Sequence, residues 1–320
     1  MRDIHNFIPM EKFTSIRHSL ALRIAIGCIA AISFAACSSS DNDTTQLQLS
    51  EANINSNFSN PNKVVHRLEF PKLKGGQSII VTHFANGEIN YSVEWDTVKR
   101  SNRWSAYEMY SSNRENHTKR YYPTGKDPQY PTDPDMRCST AWTADNDPFY
   151  GSGYEHGHLC PSADRLNSFI SNYQTFYLTN MMPQVKGFNA GVWENMESWV
   201  RSQIEVRNQI KIGSSDTLYV VKGGTIDKSE QVNTTKVHGM IIPKYYYMAL
   251  LMKNSTGYKA MGFWIKHEAS SNSNLSKYVV NIDKLEEFTG IDFFCNLPDA
   301  IENHVEGLPL ENVLRAWGFN

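Results

Sequence analysis

The sequence lacks features that would each indicate a class of protein. Its most apolar stretch, "IAIGCIAAISFAAC" at residues 24–37, is too short to span a bilayer comfortably. The 31 basic residues do not exceed the 33 acidic ones, so any polyanionic substrate must be met by a local basic patch or a metal ion. The overall composition is typical of a globular protein, with 40% hydrophobic and 20% charged residues. A chain of 320 residues is long enough for one large core or two small ones.

The amino terminus has the pattern of an export signal. Arg17 and Arg23 precede the apolar stretch, which is about as long as the hydrophobic region of a signal peptide. Its last residues, Phe34-Ala35-Ala36-Cys37, resemble the lipobox of bacterial lipoproteins. The resemblance implies that Cys37 becomes an acylated first residue that anchors the protein to a membrane. The alternative is an ordinary signal peptide with a spare cysteine.

The chain is expected to be exported and lipid-anchored to the outer membrane. Exposure at the cell surface is left open, and a periplasmic or secreted protein is the alternative. Residues 38–61 are polar and nearly free of aromatic side chains, which predicts a flexible tether. The predicted regions are therefore a signal peptide at 1–37, the tether at 38–61 and one folded domain at 62–320. Without residues 1–37, 27 basic and 31 acidic residues leave a net charge of −4.

Few cysteines remain in the exported chain. Cys28 lies in the signal and Cys37 is committed to lipid, which leaves Cys138, Cys160 and Cys295. Export permits one disulfide, and the sequence leaves all three pairings open, although the shortest loop favours Cys138 with Cys160. Cys160 as a nucleophile beside a histidine is disfavoured, because residues i and i+2 of a strand are not placed like a nucleophile and its base.

Strand patterns dominate the folded region. β-Branched and aromatic runs at 78–84, 89–95 and 104–110 are separated by Asn86-Gly87 and a polar stretch, which predicts neighbouring antiparallel strands. Further strands are predicted at 176–178, 216–224, 244–253 and 257–267.

Helices and loops complete the predicted fold. Helical spacing is clearest at 190–210, and a second helix is predicted to end at Gly290. Residues 124–155 read as a long loop that borders a site, and 180–189 as irregular backbone. The fold class is therefore α+β, with a largely antiparallel central sheet and inserted helices.

The stretch "GSGYEHGHLCPSADR", residues 151–165, concentrates reactive side chains. His156 and His158 share one face of an extended strand, so they could hold a metal, act as acid and base, or pack beside a turn. A zinc site is disfavoured because no third ligand stands at metal spacing nearby.

This stretch and "FYLTNMMPQVKGFNAGVWENMESWVR", residues 176–201, resemble the DNA/RNA non-specific endonuclease family, the ββα-metal nucleases that include endonuclease G. Where the family has Asp-Arg-Gly-His, this chain has Glu155-His156-Gly157-His158. The second motif is matched in register by Thr179, Asn180, Pro183, Gln184, Asn189, Trp193, Glu197 and Arg201. The resemblance is strong over residues 154–201 and implies a ββα-metal active-site motif.

The resemblance implies a metal-dependent endonuclease that hydrolyses DNA and RNA with little sequence preference. His158 would be the general base, and Asn189 the direct ligand of Mg²⁺, with Mn²⁺ as another possible ion. Since Mg²⁺ keeps most of its waters, one amide oxygen suffices to hold it. The structural alternative for Asn189 is a helix N-cap.

The remaining implied catalytic residues are Asn180, Glu197, Arg201 and His156. Helical spacing separates Glu197 from Asn189, so Glu197 would contact the water shell of the ion. Arg201 would either face the phosphate or form an i,i+4 pair with Glu197. Trp193 is expected in the core.

His156 departs from the family pattern, which has an arginine that stabilises charge on the phosphate. Because imidazole is cationic only below its pKa, the substitution predicts activity in a narrow window around pH ~6.5. Two alternative functions are a surface nucleic-acid-binding protein with weakened catalysis and a phosphodiesterase acting on small nucleotides.

Overall fold

A computed structural model of the chain describes residues 52–136, 139–204 and 216–319. The predicted signal peptide, its lipobox and Cys138 lie outside these ranges, so the anchor and the disulfide stay predictions. Cys160 and Cys295 are both buried and are not bonded to each other. Of the helices in these ranges, none is both long enough and apolar enough to cross a membrane.

The described ranges contain nine strands. All except β4 and β5 form one antiparallel sheet in the order β1-β2-β3-β6-β7-β8-β9, which confirms the predicted α+β class with a large antiparallel sheet. The strands are β1 (Ser78–Ala85), β2 (Glu88–Asp96), β3 (Ser101–Met109), β4 (Glu155–His158), β5 (Met181–Gln184), β6 (Thr217–Gly224), β7 (Tyr245–Asn254), β8 (Gly257–Lys266) and β9 (Val279–Val280).

The first hairpin follows from its turn residues. Asn86 and Gly87 both have positive φ angles, 55° and 84°, which the tight turn between two right-twisted strands requires. Asparagine and glycine tolerate that conformation better than other residues do. The predicted pairing of β1 with β2 and of β2 with β3 is confirmed.

Both faces of the sheet are covered. One face carries Val93 and Trp95 in a cluster with Trp193, as expected for that tryptophan, whereas Trp104 and Tyr247 pack on the other face. Each such side chain contributes on the order of 1.5–3 kcal/mol when buried. The helices are α1 (Phe169–Gln174), α2 (Glu194–Ser202), α3 (Ile282–Thr289), α4 (Asp299–Glu306) and α5 (Leu310–Ala316).

The predicted strand at 176–178 is wrong. This run instead lies in tight helical turns, in which the Asn180 N–H donates to the Tyr177 carbonyl at 2.9 Å. Extended backbone begins at Met181, inside the segment predicted to be irregular, and β5 pairs with β4 so that His158 lies opposite Met181. A three-residue apolar run has no periodicity that separates a strand from a buried turn.

The predicted helices are present in the described residues. A wide helical turn, Phe188–Trp193, continues into α2, and residues 205–210 of the predicted helix lie outside the description. Helix α3 begins after Asn281, whose side chain accepts the Lys284 N–H at 3.0 Å. It ends at Gly290 with φ of 72°, as predicted.

Residues 52–61, which the sequence assigns to the tether, contact the domain. The Asn57 side chain is buried and donates to the Pro71 carbonyl at 3.0 Å, while its backbone N–H donates to Asn296 at 2.9 Å. Asn53 donates to the Leu297 carbonyl. These ten residues therefore pack with the folded unit, and the boundary at residue 37 stays a prediction.

Candidate active site

Strand β4, which pairs with β5, and helix α2 with the turn before it line a cleft of about 340 Å³. The order strand, strand, helix is the ββα arrangement that the two motifs predict. The cleft brings together the predicted residues His158, Asn189, Glu197 and Arg201, and adds Arg120. Its walls also include Pro161, Ser162, Ala163, Ala190 and Glu194.

His158 is held rigidly at the edge of this cleft. Its backbone carbonyl accepts a hydrogen bond from the Trp193 indole at 3.4 Å, and its ring meets the Phe176 ring edge-on at 5.0 Å. The Nε2 atom is buried and has no hydrogen-bond partner within the described ranges. A buried, unpartnered nitrogen facing a polar cleft is available to a substrate or a water.

The environment keeps His158 neutral. Burial, followed by the positive charges of Arg120 and His156, lowers the pKa of His158 to about 3. A neutral imidazole has a lone pair on one nitrogen, so it can accept a proton across the physiological pH range. The chemistry that fits is general base catalysis.

Gly157 makes the close pairing of the two strands possible. A Cβ atom there would lie 2.3 Å from the Gln184 side chain. Any larger residue would have to displace the buried Gln184 side chain on the paired strand. The glycine between the two histidines therefore suits this close packing.

Asn189 lies in the wide turn that precedes α2. Its backbone N–H donates to the Val185 carbonyl at 3.0 Å, and its side chain lines the cleft. Ala190 and Gly191 have non-helical backbone angles, so the turn is kinked before α2. Within the part of the chain that the structure describes, neither the turn nor α2 has a side-chain cap bond, which gives the helix-cap alternative for Asn189 no support. The turn is fixed from outside by the Val192 N–H, which donates to the Ser270 carbonyl at 2.7 Å.

Glu197 and Arg201 do not pair with each other as the i,i+4 alternative predicts. In the described chain, Arg201 forms its ion pair with Asp164 at 3.1 Å, and Lys222 approaches Glu197 at 3.3 Å. Burial raises the pKa of Glu197, although the charges of Lys222 and Arg201 oppose this. Tyr107 donates to Asp164 at 2.7 Å, so each charged group on this wall has a fixed partner.

Sequence reasoning missed Arg120, Asp164 and Lys222. Lys222 could have been identified from the sequence, because a lysine inside the apolar strand β6 is expected to be buried and to need a charged partner. Arg120 carried none, since it lies in an irregular segment. Its guanidinium stacks on Phe176 at 4.8 Å, which places its charge beside His158.

Asn180 does not line the cleft. It is fully buried, and its Oδ1 accepts from the Cys160 N–H and the Ser105 hydroxyl at 2.9 and 3.0 Å. Its Nδ2 donates to the carbonyls of Cys160 and Thr175, both at 2.8 Å. Two of these bonds tie Cys160, just after β4, to the residue before β5, and the other two reach β3 and the end of α1. Asn180 therefore positions these segments beneath the cleft.

His156 points into a neighbouring pocket of about 470 Å³. Its ring is stacked between Tyr130 at 3.5 Å and Phe149 at 4.2 Å, and Nε2 lies 2.8 Å from Asp147. His156 and His158 therefore line different pockets, and the two do not form a zinc pair. The permanent positive charges in the cleft of His158 come from Arg120 and Arg201.

Two further features bear on chemistry. Burial raises the pKa of the Cys160 thiol to about 12, which keeps it protonated and unreactive. His83, Asp133 and Asp135 bring three possible metal ligands within 4.8 Å of one another. The two ring nitrogens of His83 lie close to these carboxylates, 3.3 Å from Asp133 and 3.2 Å from Asp135.

The comparisons with known proteins agree with this geometry. Residues 77–300 match the family described as DNA/RNA non-specific endonuclease. A nuclease of Nostoc sp. is 28% identical over 228 residues, covering 68% of this chain and 75% of that protein. A mitochondrial nuclease of Saccharomyces cerevisiae is 30% identical over 163 residues, covering 48% of this chain and 49% of that protein.

Human mitochondrial nuclease EXOG is 25% identical over 213 residues, covering 65% of this chain and 56% of that protein. The chain thus spans about half the length of these mitochondrial relatives. A chain in a crystal structure of the EndoG/EndoGI complex aligns with a TM-score of 0.55 and 19% identity, covering 70% of this chain and 89% of its own length. That likeness concerns the fold.

Proposed function

Because the chain belongs to the DNA/RNA non-specific endonuclease family, we propose that it is a metal-dependent endonuclease that hydrolyses DNA and RNA with little sequence preference. One observation carries the proposal. The neutral Nε2 of His158, which has no partner among the described residues, shares a polar cleft with an amide, two carboxylates and two guanidinium groups. These groups suit a phosphodiester, which needs a base for the attacking water and cations for the phosphate oxygens.

His158 accepts the proton of the attacking water. Because its pKa is lowered, the imidazole is neutral and its nitrogen is free to take a proton. The edge-on contact with Phe176 positions the ring, and the bond from Trp193 holds the His158 backbone carbonyl.

Mg²⁺ is the proposed ion, with Mn²⁺ as the alternative. The amide oxygen of Asn189 would hold it, and the Glu197 carboxylate would contact its waters, since both are oxygen donors of the kind that hard cations prefer. When bound, such an ion polarises the phosphate and stabilises the leaving oxygen.

Arg120 and Arg201 orient the phosphate. A guanidinium can bind two phosphate oxygens at once and stays charged at every relevant pH. Asp164 anchors Arg201, and Phe176 supports Arg120. Because contacts to the phosphate carry no base information, the site supports action on both DNA and RNA.

Cleavage assays with the purified protein test this proposal. Supercoiled plasmid and an unrelated RNA are incubated with Mg²⁺, with Mn²⁺ or with EDTA, and Asn189→Ala is titrated with metal beside the native protein. We expect both substrates to be cut only with metal, and Asn189→Ala to need a higher concentration for half-maximal rate. Binding without cleavage would favour the surface nucleic-acid-binding protein instead. Cleavage of small nucleotide diesters alone would favour the phosphodiesterase.

Export and lipid anchoring through Cys37 are part of the proposal. The support is the signal-like pattern and the lipobox resemblance at residues 34–37. Cys37→Ser should move the protein from the membrane fraction to the soluble fraction of the producing cells. Unchanged membrane association would contradict the anchor without affecting the proposed chemistry.

A further inference from the structure

Helices α3 and α4 bring three carboxylates together in the carboxyl-terminal part of the fold. Asp283, Glu286 and Glu306 each offer an oxygen, and these oxygens lie within 4.8 Å of one another. Asp283 and Glu286 are one turn apart on α3, and Glu306 is the last residue of α4. None of the three lines the cleft of His158.

Glu306 is the unusual member of this cluster. Its residue is only 4% exposed, and its Oε1 atom has no hydrogen-bond partner among the residues that the structure describes. A buried carboxylate oxygen without a partner is costly. A cation bound at this atom would relieve that cost.

The neighbouring groups favour a cation. A Cβ atom on Gly307 would lie 3.2 Å from Asp283 Oδ2, so the Asp283 carboxylate reaches the carboxyl end of α4. That end of a helix carries partial negative charge and repels carboxylates. Glu286 is already held by the Phe293 N–H at 2.7 Å, which fixes one of its oxygens in place.

More negative charge surrounds the cluster. Asp292 and Glu302 both accept hydrogen bonds from the Asn55 amide, at 3.1 and 2.7 Å. The cluster therefore lies among further carboxylates, whose negative charge favours a bound cation.

We propose that Asp283, Glu286 and Glu306 bind a hard divalent cation, of which Ca²⁺ is the best fit. The ligands are carboxylate oxygens alone, which excludes a preference for soft metals. Ca²⁺ accepts irregular oxygen cages, whereas Mg²⁺ demands near-ideal octahedral geometry. A bound ion would fasten α3 to α4 and stabilise the fold, independently of catalysis.

Thermal unfolding of the full chain tests the proposal. The protein is stripped with EDTA, returned to chelator-free buffer at pH 7 and melted with increasing CaCl₂ or MgCl₂, while calorimetry measures Ca²⁺ binding. At about a hundred times its Kd, Ca²⁺ should raise the Tm by roughly 5–10 °C. Mg²⁺ should do so less at the same concentration.

Three variants locate the effect. Glu306→Gln keeps the shape of the side chain, and Asp283→Asn changes an exposed member that the fold does not need; both should lose the Ca²⁺-dependent rise. Glu287→Gln, which alters an exposed glutamate paired with Lys284 on the same helix, should retain it. Asn189→Ala should retain it as well, which separates this site from the proposed catalytic ion.

Two results would overturn the proposal. One is a Tm that does not respond to Ca²⁺ but rises on acidification, which would show that the carboxyl groups share protons. The other is a Ca²⁺ response that survives in both Glu306→Gln and Asp283→Asn. Either result leaves the nuclease assays unaffected.

Discussion

Two histidines two residues apart on strand β4 have different environments. His158 faces the polar cleft with a free, buried nitrogen, while His156 is stacked between Tyr130 and Phe149 and bonded to Asp147. Both side chains leave the same face of the strand, as the alternation of a strand requires. Their environments differ because a different part of the chain packs against each side chain.

The cover over His156 comes from the long segment before β4. Residues Tyr130, Asp147 and Phe149 all belong to that segment, and they surround the imidazole with two aromatic faces and a carboxylate. The cover over His158 comes from Phe176, Trp193 and Arg120, which leave one nitrogen open. The comparison shows that a histidine on this strand is not reactive by residue type alone. The neighbouring side chains determine whether one of its ring nitrogens is free to accept a proton.

The largest expected effect comes from removing the free nitrogen. His158→Ala should lower turnover by ~10²–10⁴, the usual contribution of proton transfer, with little change in thermal stability. Steady-state kinetics on plasmid DNA measures it, and His117→Ala, which alters an exposed histidine, is the matched control. More than half of the native activity in His158→Ala would remove His158 from the mechanism.

Arg120 should show the next largest effect, because it lines the cleft of His158 and supplies positive charge there. Arg120→Ala should reduce kcat by about 10², as the loss of one charged donor to a transition state does. Arg120→Lys should recover only part of the rate, since lysine lacks the guanidinium fork. Arg315→Ala on helix α5 changes an exposed arginine and should behave as the native protein. Equal rates for Arg120→Ala and this control would place the phosphate elsewhere.

The pH profile separates the two histidines further. Because the pKa of His158 lies at about 3, the base stays unprotonated well below pH 6.5, and kcat/KM should remain within about twofold between pH 5 and 7. This replaces the narrow window that the sequence predicts from a cationic His156. An acid limb with an apparent pKa near 6.5 would show that His158 titrates normally.

The same shift affects stability, with a defined sign. The unfolded chain binds a proton at His158 near pH 6.5, whereas the folded chain does not until about pH 3. The unfolded state therefore holds more protons in this interval, and the free energy of unfolding falls as the pH decreases from 6.5 toward 3. His158→Ala should lose this part of the pH dependence in denaturant titrations.

The smallest effect on catalysis is expected at His156. His156→Ala should lower the free energy of unfolding by about 1–3 kcal/mol, because two aromatic stacks are lost, while kcat falls less than about tenfold. Asp147→Asn should lower both the free energy of unfolding and kcat by less than His156→Ala does. A hundredfold loss of kcat in His156→Ala with an unchanged Tm would mean that this imidazole reaches the phosphate after all.

Much of the fold could be predicted from local patterns. β-Branched and aromatic runs and the Asn86-Gly87 turn were enough to predict the first three strands, and Gly290 marked the end of α3. The failure at residues 176–178 concerns a run too short for periodicity to decide. There, the four hydrogen bonds of Asn180 hold a turn that local sequence does not reveal.

The sequence by itself determined the antiparallel architecture, because strand patterns and turn residues are local. Its resemblance to the family pointed to His158, Asn189, Glu197 and Arg201. Only the tertiary structure decided that Asn180 is a buried clamp, that His156 belongs to another pocket, and that Arg120 and Lys222 join the site. These residues lie tens of positions from their partners. Their roles depend on burial and on charge at close range, and both arise only when distant segments pack together.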